Sequence, residues 1–141
     1  MRIELVENDR QKQDAFQVRR LVFIEEQNVP EDREHDEFDE TALHLVGYLH
    51  EKPVAAARIQ FKDDYGKLER ICVLKSERGS SYGRQLIQYM EDVISSKSCS
   101  KVKLNSQTHA EGFYKLLGYQ TISDSFIDAG IPHVTMMKDL H

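Results

Sequence analysis

The sequence of 141 residues contains no tryptophan, three prolines and only two cysteines, Cys72 and Cys99. Two cysteines are too few for a disulfide framework, and their separation matches no metal-binding spacing, so we expect no metal site. Cys72 lies in the apolar run ICVL, where free cysteine behaves as a small buried hydrophobic residue. The cysteine content therefore argues against a small domain stapled by disulfides.

Long hydrophobic runs are also missing. The N-terminal stretch MRIELVENDRQ lacks the apolar region of a secretory signal, and no run approaches the length of a membrane-spanning helix. Hydrophobic residues make up 40% and charged residues 30% of the chain, which fits a globular protein rather than a disordered one. We therefore expect a cytoplasmic protein without a membrane partner, and the length predicts one domain over residues 1–141.

Basic residues are fewer than acidic ones: the chain has 19 Lys and Arg and 24 Asp and Glu, which gives a net charge of −5. Residues 25–40, EEQNVPEDREHDEFDE, hold nine acids and one arginine, which leaves 18 basic and 15 acidic residues elsewhere. General nucleic-acid binding requires a basic face, so we expect no nucleic-acid partner. The charge layout fits a polyanionic ligand on the body and a cationic ligand near the acidic segment, or simply a solvated acidic loop.

The hydrophobic pattern predicts both strands and helices. In the first helix Ala15, Val18 and Val22 share one face, and Asn8 and Asp9 are candidate N-caps. Strands are predicted over 2–7, 42–50, 53–61, 67–75, 100–106 and 133–140, and helices over 14–27, 82–97 and 109–119.

The order of these elements predicts an α+β fold with a mixed central sheet. The strands between residues 42 and 75 are joined by short links, which is typical of an antiparallel meander. The strand–helix–strand unit over 67–106 predicts a right-handed crossover and a parallel pair in the middle of the sheet.

A Gly/Ser turn, ERGSSYGRQL at residues 77–86, lies between the strand at 67–75 and the helix that follows. Such a turn exposes N–H groups without intrahelical partners at the positive end of the helix dipole, which favours phosphate binding. No Gly-Lys-Ser/Thr follows, so it is not a Walker A loop, and it does not match the Rossmann fingerprint. Local sequence leaves open both a phosphate site and an ordinary surface turn.

The segment ICVLKSERGSSYGRQLIQYMED resembles the acyl-CoA-binding motif of the GNAT family of N-acetyltransferases. That motif is a strand, a loop written Arg/Gln-x-x-Gly-x-Gly/Ala, and a helix. Arg78 fills its first position and Gly83 its last. Gly79 is also common in the family, whereas Ser81 replaces the usual middle glycine.

Three further segments resemble the same family, so the matches span nearly the whole chain. LNSQTHAEGFYKLLGYQ resembles a later strand–helix motif in which Ala and Tyr precede a Leu-Gly-Phe/Tyr turn. VRRLVFIEEQNVPEDREHDEFDETALH and GIPHVTMMKDL resemble the ends of a small single-domain subgroup with an Arg-x-x-Val-Phe-x-x-Glu-Gln segment.

The resemblance implies a GNAT-like acyl-CoA N-acyltransferase fold that binds acetyl-CoA where the central parallel strands splay apart. The backbone of Ile71, Cys72 and Val73 is expected to pair with the pantetheine arm, assisted by Asn105 unless that residue is only a polar strand end. Loop N–H groups are expected to hold the pyrophosphate, and we expect Ser81 to be right-handed, where serine costs nothing. The loop residues are Arg78, Gly79, Ser80, Ser81, Tyr82, Gly83 and Arg84.

The resemblance also implies Tyr114 as the general acid for the departing thiolate, because a phenol with a pKa of ~10 suits a thiol with a pKa of ~8.5. The alternative is a tyrosine that only packs in its helix. Cys72 is not expected to carry the acyl group, because direct transfer in a ternary complex is the family's usual route.

The general base stays open among Glu69, His44, His133 and water. Some family members carry a glutamate on the strand that holds Glu69, and strand alternation predicts that Glu69 faces opposite to Leu68 and Arg70. His44 and His133 lie in apolar runs, where neutral histidine serves either as a base or as a satisfied core residue.

The acceptor side is expected near Arg19 and His44, with Glu25, Glu26 and Asp36 attracting an ammonium group or supporting a loop. The predicted function is transfer of acetyl from acetyl-CoA to a primary amine of a small molecule, peptide or protein. A non-catalytic acyl-CoA-binding module is the alternative, and an acyl-homoserine-lactone synthase ranks lower. A homodimer is left open.

Overall fold

The computed structural model describes residues 1–140. It contains eight strands and four α-helices, together with short π-helical and 3₁₀ segments. The strands are β1 (Arg2–Leu5), β2 (Leu43–Leu49), β3 (Lys52–Phe61), β4 (Tyr65–Val73), β5 (Lys101–Gln107), β6 (Gln120–Thr121), β7 (Phe126–Asp128) and β8 (Ile131–Asp139). The helices are α1 (Asp9–Arg19), α2 (Glu31–Glu34), α3 (Tyr82–Ser96) and α4 (Glu111–Leu116). The π-helical segment is Arg20–Glu26, and the 3₁₀ turns are Glu37–Glu40, Lys75–Glu77 and Thr108–Ala110.

All eight strands belong to one sheet in the order β1-β2-β3-β4-β5-β8-β6, with β7 paired to β8. The meander β2–β3–β4 is antiparallel, and β4 and β5 are parallel with α3 as the crossover. The predicted α+β fold with a mixed sheet is therefore confirmed. The short strands β6 and β7 were not predicted, because two or three residues carry no readable alternation.

The first helix begins at Asp9, before the predicted span of 14–27, and directly after the predicted N-cap Asn8. The Asn8 side chain accepts a hydrogen bond of 2.9 Å from the Gln11 N–H, as an N-cap residue does. Ala15, Val18 and Val22 are buried against the sheet. The helical run continues past Arg19 with the wider π geometry, which is uncommon and is often found near functional sites.

Helix α3 packs its apolar stripe on the sheet, where Leu86, Ile87, Met90 and Ile94 are fully buried. Gly66 on β4 makes this close approach feasible, because a Cβ there would lie 2.5 Å from Ile94 Cδ1. This packing fixes the start of α3, and with it the preceding loop, against the end of β4.

A β-bulge lies in β4 opposite β3. Ala56 pairs with Cys72 and Arg58 pairs with Glu69, so β4 carries one extra residue in this interval. Arg70 adopts the left-handed conformation at φ 57°. The bulge breaks strict alternation along the last part of β4.

The parallel pairing of β4 and β5 ends early. It runs from Tyr65 opposite Lys101 to Leu68 opposite Leu104, and β5 continues beside β8 as far as Gln107 opposite His133. Beyond Leu68, β4 has no partner on its β5 side, which leaves a wedge-shaped opening in the middle of the sheet. Within residues 1–140, no helix has both the length and the apolar character that crossing a membrane requires.

Candidate functional site

The opening between the ends of β4 and β5 is the mouth of a cavity of about 720 Å³, called here the central cleft. The 78–84 loop, the start of α3 and helix α4 form its other walls. All of the residues predicted to bind the cosubstrate border the central cleft except Ser80, which is exposed outside it. Cys72 borders the cleft without turning its thiol or its backbone hydrogen-bonding groups into it.

The backbone of β4 presents hydrogen-bonding groups to the central cleft at alternate residues. The Leu74 N–H bonds to the Val54 carbonyl at 2.9 Å, so Leu74 faces β3. Alternation then directs the backbone of Val73 into the cleft and that of Cys72 back toward β3. The expectation that the Cys72 backbone faces the cleft was therefore wrong, whereas the position of Val73 agrees with it.

The Cys72 side chain also points away from the central cleft. It is buried among Ala15, Val18 and Ala56, and its thiol donates to the Ala56 carbonyl at 3.6 Å. Burial raises the pKa of the Cys72 thiol to about 12, so the thiolate nucleophile is scarce at neutral pH. This environment fits the predicted role as a small buried residue.

The 78–84 loop contains two left-handed residues. Gly79 has φ 91° and Ser81 has φ 65°, so the expected right-handed conformation of Ser81 was wrong. Ser81 is the N-cap of α3, and its carbonyl accepts the first helical bond, from the Gln85 N–H. The N–H groups at the helix start therefore lack intrahelical partners and border the cleft.

The two loop arginines differ in their surroundings. Arg78 donates from Nη1 and Nη2 to both carboxylate oxygens of Glu26 at 2.6 Å, and from Nε to the Val73 carbonyl at 3.0 Å. Arg78 thus fastens the loop to the end of the π-helical segment and to β4. Arg84 is exposed on the cleft wall without an acidic partner among residues 1–140.

Tyr114 of α4 lines the central cleft. Its ring packs edge-on against Phe113 and Tyr119, at centroid distances of 5.1 and 5.9 Å. Burial raises the pKa of Tyr114 to about 12, so the phenol is protonated at neutral pH. Asn105 also lines the cleft, and its Oδ1 accepts from the Thr135 hydroxyl at 2.8 Å, which leaves the amide N–H₂ for a ligand.

A second cavity of about 480 Å³, the side cavity, adjoins the central cleft. It lies between the acidic segment, β3, β4 and the β7–β8 turn. Residues that line both cavities form the junction; they include Gln27, Glu69, Arg70, Gln107, Asp128 and His133. Gln107 Nε2 donates to Gln27 Oε1 at 3.1 Å and so links β5 to the end of the π-helical segment.

Arg19 is completely buried and does not reach either cavity. Its guanidinium donates to Glu34 Oε2 at 2.5 Å and to Asp39 Oδ1 at 2.7 Å. The expectation that Arg19 meets the substrate was therefore wrong. Arg19 instead binds the acidic segment to the body of the protein.

Arg58 and Arg70 extend this network, called here the charge cluster. Arg58 donates to Asp36, Asp39 and Glu69, and Arg70 donates to Glu34 and Asp36. Burial opposes ionisation of Asp39, but hydrogen bonds and charges from Arg19 and Arg58 outweigh it, so the Asp39 pKa is lowered. The carboxylates of the cluster are thus neutralised by arginines.

Glu69 belongs to the charge cluster on the same side of the sheet as Arg70. The predicted opposition of the two side chains was wrong, because the bulge at Arg70 breaks the alternation. Burial would raise the pKa of Glu69, but the hydrogen bond from Gln60 and the charges of Arg58 and Lys67 lower it. A carboxylate held in this way is a weak base.

The two candidate histidines occupy different environments. His44 is buried outside both cavities, with Nε2 2.7 Å from the Asp39 carbonyl and Nδ1 without a hydrogen-bond partner in the described part of the chain, residues 1–140. Burial lowers the pKa of His44. Its predicted contact with acceptor and chemistry was therefore wrong.

His133 lies at the junction, stacked on Phe126. Its Nδ1 is 2.7 Å from the Ile131 carbonyl, which can only accept, so Nδ1 carries the proton. Nε2 is then left with a lone pair, which is the arrangement that a general base requires.

The three acidic residues predicted on the acceptor side occupy different positions in the structure. Glu25 is exposed outside both cavities and Glu26 pairs with Arg78, so neither supplies a free carboxylate there. Asp36 lines the side cavity but pairs with Arg58 and Arg70. Sequence reasoning missed Gln107 and Asp128 at the junction; the position of Gln107 at a strand end was a signal, and Asp128 had none.

The chain is similar to known proteins in both sequence and structure. Residues 8–140 match the family model described as acetyltransferase (GNAT) domain. The chain is 48% identical over 140 residues to the uncharacterized N-acetyltransferase YjcF of Bacillus subtilis, covering 99% of this chain and 100% of the relative. Escherichia coli ElaA has a similar crystal structure, with a TM-score of 0.89, 25% identity and coverage of 99% and 100%.

A more distant crystal structure shares the fold. It is an aminoglycoside 6′-N-acetyltransferase complexed with coenzyme A, with a TM-score of 0.80, 18% identity and coverage of 100% of this chain and 98% of that one.

Proposed function

Because the chain belongs to the acetyltransferase (GNAT) family, we propose that it transfers acetyl from acetyl-CoA to a primary amine by direct attack in a ternary complex. The observation that carries this proposal is the junction, where the central cleft opens into the side cavity. A cosubstrate in the cleft and an amine in the side cavity would meet there without an acyl-enzyme.

The central cleft has the features that a CoA-type ligand needs. Added Cβ atoms at Gly79 would touch nothing within 4 Å, and at Gly83 only Phe113 at 3.9 Å, so the loop backbone is open to close approach. N–H groups at the start of α3 and the cation of Arg84 suit a pyrophosphate. Backbone groups of Ile71 and Val73, with the Asn105 amide, suit the amides of pantetheine. Acetyl-CoA would supply the activated thioester.

His133 and Tyr114 are the residues that we assign to proton transfer. His133 Nε2 takes a proton from the attacking amine as the N–C bond forms. Tyr114 gives its hydroxyl proton to the sulfur as the C–S bond breaks. Glu69 serves to hold Arg58 and Lys67 in place, because both of its oxygens already accept from these cations or from Gln60.

The test is release of free CoA from acetyl-CoA in the presence of a panel of primary amines. Tyr114→Phe and His133→Gln are each expected to lower kcat about a hundredfold, the usual size of a general acid or base effect. CoA affinity, measured by calorimetry, should stay within about twofold for both variants, since neither residue holds the pyrophosphate. Tight CoA binding without turnover of any amine would instead favour a non-catalytic binding module.

A further inference from the structure

The acidic segment does not give the side cavity a negative charge. Glu34 and Asp36 line the cavity, but their carboxylates are bound by Arg19, Arg58 and Arg70. The whole lining of the side cavity contains five basic and five acidic residues, so the formal charge of the lining is zero. A purely cationic acceptor therefore finds no net attraction in this cavity.

The charges that are left unpaired are arranged along the side cavity. At the junction, Asp128 is exposed and has no cation within ion-pair distance among residues 1–140. Away from the junction, Arg33 and Lys62 line only the side cavity, and over the same residues neither has a carboxylate partner. Asp32 is the unpaired acid at this outer end, so the outer end carries +1 and the junction carries −1.

Apolar side chains also line the side cavity, next to these charges. Phe38 is 41% exposed, and the Lys62 ammonium lies 5.6 Å from its ring centroid. Val29 and Ile131 also line the side cavity. The side cavity thus offers an unpaired carboxylate at the junction, apolar wall groups, and two cations that line only the side cavity.

We propose that the acceptor amine carries an anionic group, a carboxylate or a phosphate, separated from the amine by a short apolar spacer. This inference rests on the proposed acetyl transfer. The amine lies at the junction beside Asp128 and His133. The anion lies at the outer end, where Arg33 and Lys62 each hold it with charge-assisted hydrogen bonds.

The experiment compares amines that share a spacer and differ only in the far end: pentylamine, 1,5-diaminopentane and 5-aminopentanoate. A fourth amine, 3-aminopropyl phosphate, tests a phosphate against a carboxylate. The readout is kcat/KM for release of CoA from acetyl-CoA. We expect the two anionic amines to exceed 1,5-diaminopentane by about tenfold, since local charge raises substrate concentration by that order.

Variants of Arg33 and Lys62 test whether these two cations cause the preference for an anionic amine. Arg33→Ala and Lys62→Ala should each lower the kcat/KM ratio of 5-aminopentanoate to pentylamine by about threefold, and R33E/K62E should turn the preference toward 1,5-diaminopentane. Lys97→Ala removes an exposed cation at the far end of α3, outside both cavities, and should leave the ratio unchanged. Salt should weaken the preference in the wild type.

Two results overturn the inference while acetyl transfer stands: equal kcat/KM for all four amines, or preference for 1,5-diaminopentane. If no amine is turned over, the proposed acetyl transfer fails and binding decides the inference. Calorimetry with CoA present would then compare 5-aminopentanoate with 1,5-diaminopentane. Tighter binding of the acid supports an anionic ligand, and equal or weaker binding overturns it.

Discussion

At the scale of single residues, substitutions in the charge cluster are expected to change the free energy of unfolding most. Arg19 and Arg58 are 0% and 1% exposed, and each depends on Asp39 for charge compensation. Removing one partner of a buried ion pair costs more than the pair contributes, because the remaining charge is left desolvated. Asp39, which serves both arginines, is the residue whose loss should be felt most.

Asp39→Asn is expected to lower the free energy of unfolding by about 3–5 kcal/mol, because two buried guanidinium groups lose their shared carboxylate. Urea unfolding followed by circular dichroism measures the change. Glu37→Gln is the matched control, since Glu37 is an exposed acid of the same 3₁₀ turn, and it should stay within about 0.5 kcal/mol. A loss below ~1 kcal/mol for Asp39→Asn would contradict the assigned role.

The same residue predicts a pH dependence. The pKa of Asp39 is lowered in the folded state, so its contribution is present above the unfolded pKa of ~3.9 and is lost as pH falls further. Wild-type stability should therefore decline below about pH 4, and the gap between wild type and Asp39→Asn should narrow there. A constant gap between pH 6 and pH 3 would contradict this.

At the scale of elements, the 78–84 loop joins the end of β4 to α3 and depends on contacts that sequence spacing does not reveal. Arg78 was predicted as part of the loop that holds the pyrophosphate, but its guanidinium is turned toward Glu26 and the Val73 carbonyl. Its contribution to CoA binding then comes through the position of the loop. The loop is thereby coupled to the π-helical segment that borders the junction.

Arg78→Ala is expected to weaken CoA binding about tenfold, with an unfolding free energy within about 1 kcal/mol of wild type, because exposed ion pairs contribute little stability. Glu26→Gln breaks the same contact from the other side and should weaken binding in the same direction. Calorimetry with CoA measures both. Lys75→Ala, an exposed cation just before the loop, is the control; unchanged affinity in Arg78→Ala would end the phosphate-loop interpretation.

Ser81→Gly is expected to raise the free energy of unfolding by about 1 kcal/mol, because Ser81 is left-handed and only glycine adopts that conformation without a Cβ penalty. Thermal unfolding gives the shift in Tm. Ser80→Gly is the matched control: Ser80 is not among the positive-φ residues, so added flexibility should leave stability equal or lower. A fall in Tm for Ser81→Gly would show that its hydroxyl has a structural role.

The elements themselves were largely predictable from sequence, whereas irregular backbone was not. Periodicity located α3, which has one apolar face, and apolar runs joined by short links located the meander. The bulge at Arg70 and the left-handed conformation of Ser81 depend on tertiary packing. The bulge made the predicted side-chain direction of Glu69 wrong, and the backbone of Ser81 was expected to be right-handed. Burial of Arg19 could not be predicted either, because an arginine next to an acidic run has the charged composition that is typical of an exposed surface.

At the scale of the whole molecule, the central cleft and the side cavity lie on the two sides of one junction. The fold brings residues from the end of the π-helical segment to β8 to this place, including Gln27, Glu69, Gln107 and His133. Glu69 and His133 were named from the sequence as candidate bases, but the large sequence separations explain why Gln27 and Gln107 were not predicted to join them. Under the proposed function, an arrangement of this kind would hold both substrates at once.

Initial-velocity patterns with acetyl-CoA and an amine are therefore expected to intersect, as a sequential mechanism requires. Cys72→Ala should retain turnover, because the thiol is buried with a pKa of about 12 and does not face the cleft. Mass spectrometry after incubation with acetyl-CoA alone should show no added acetyl group on Cys72. Parallel velocity patterns, or an acetylated Cys72 that transfers to amine, would contradict the ternary complex.

The early end of the β4–β5 pairing at Leu68 and Leu104 has a consequence for how this site changes over evolution. The wedge that it opens is made largely of main chain, and peptide groups are the same whatever side chain they carry. Substitutions can therefore accumulate around the wedge without erasing what it offers to a ligand. The side cavity is lined by side chains, and each substitution there changes the groups offered to a ligand. A lineage can therefore change its acceptor while keeping its acyl donor.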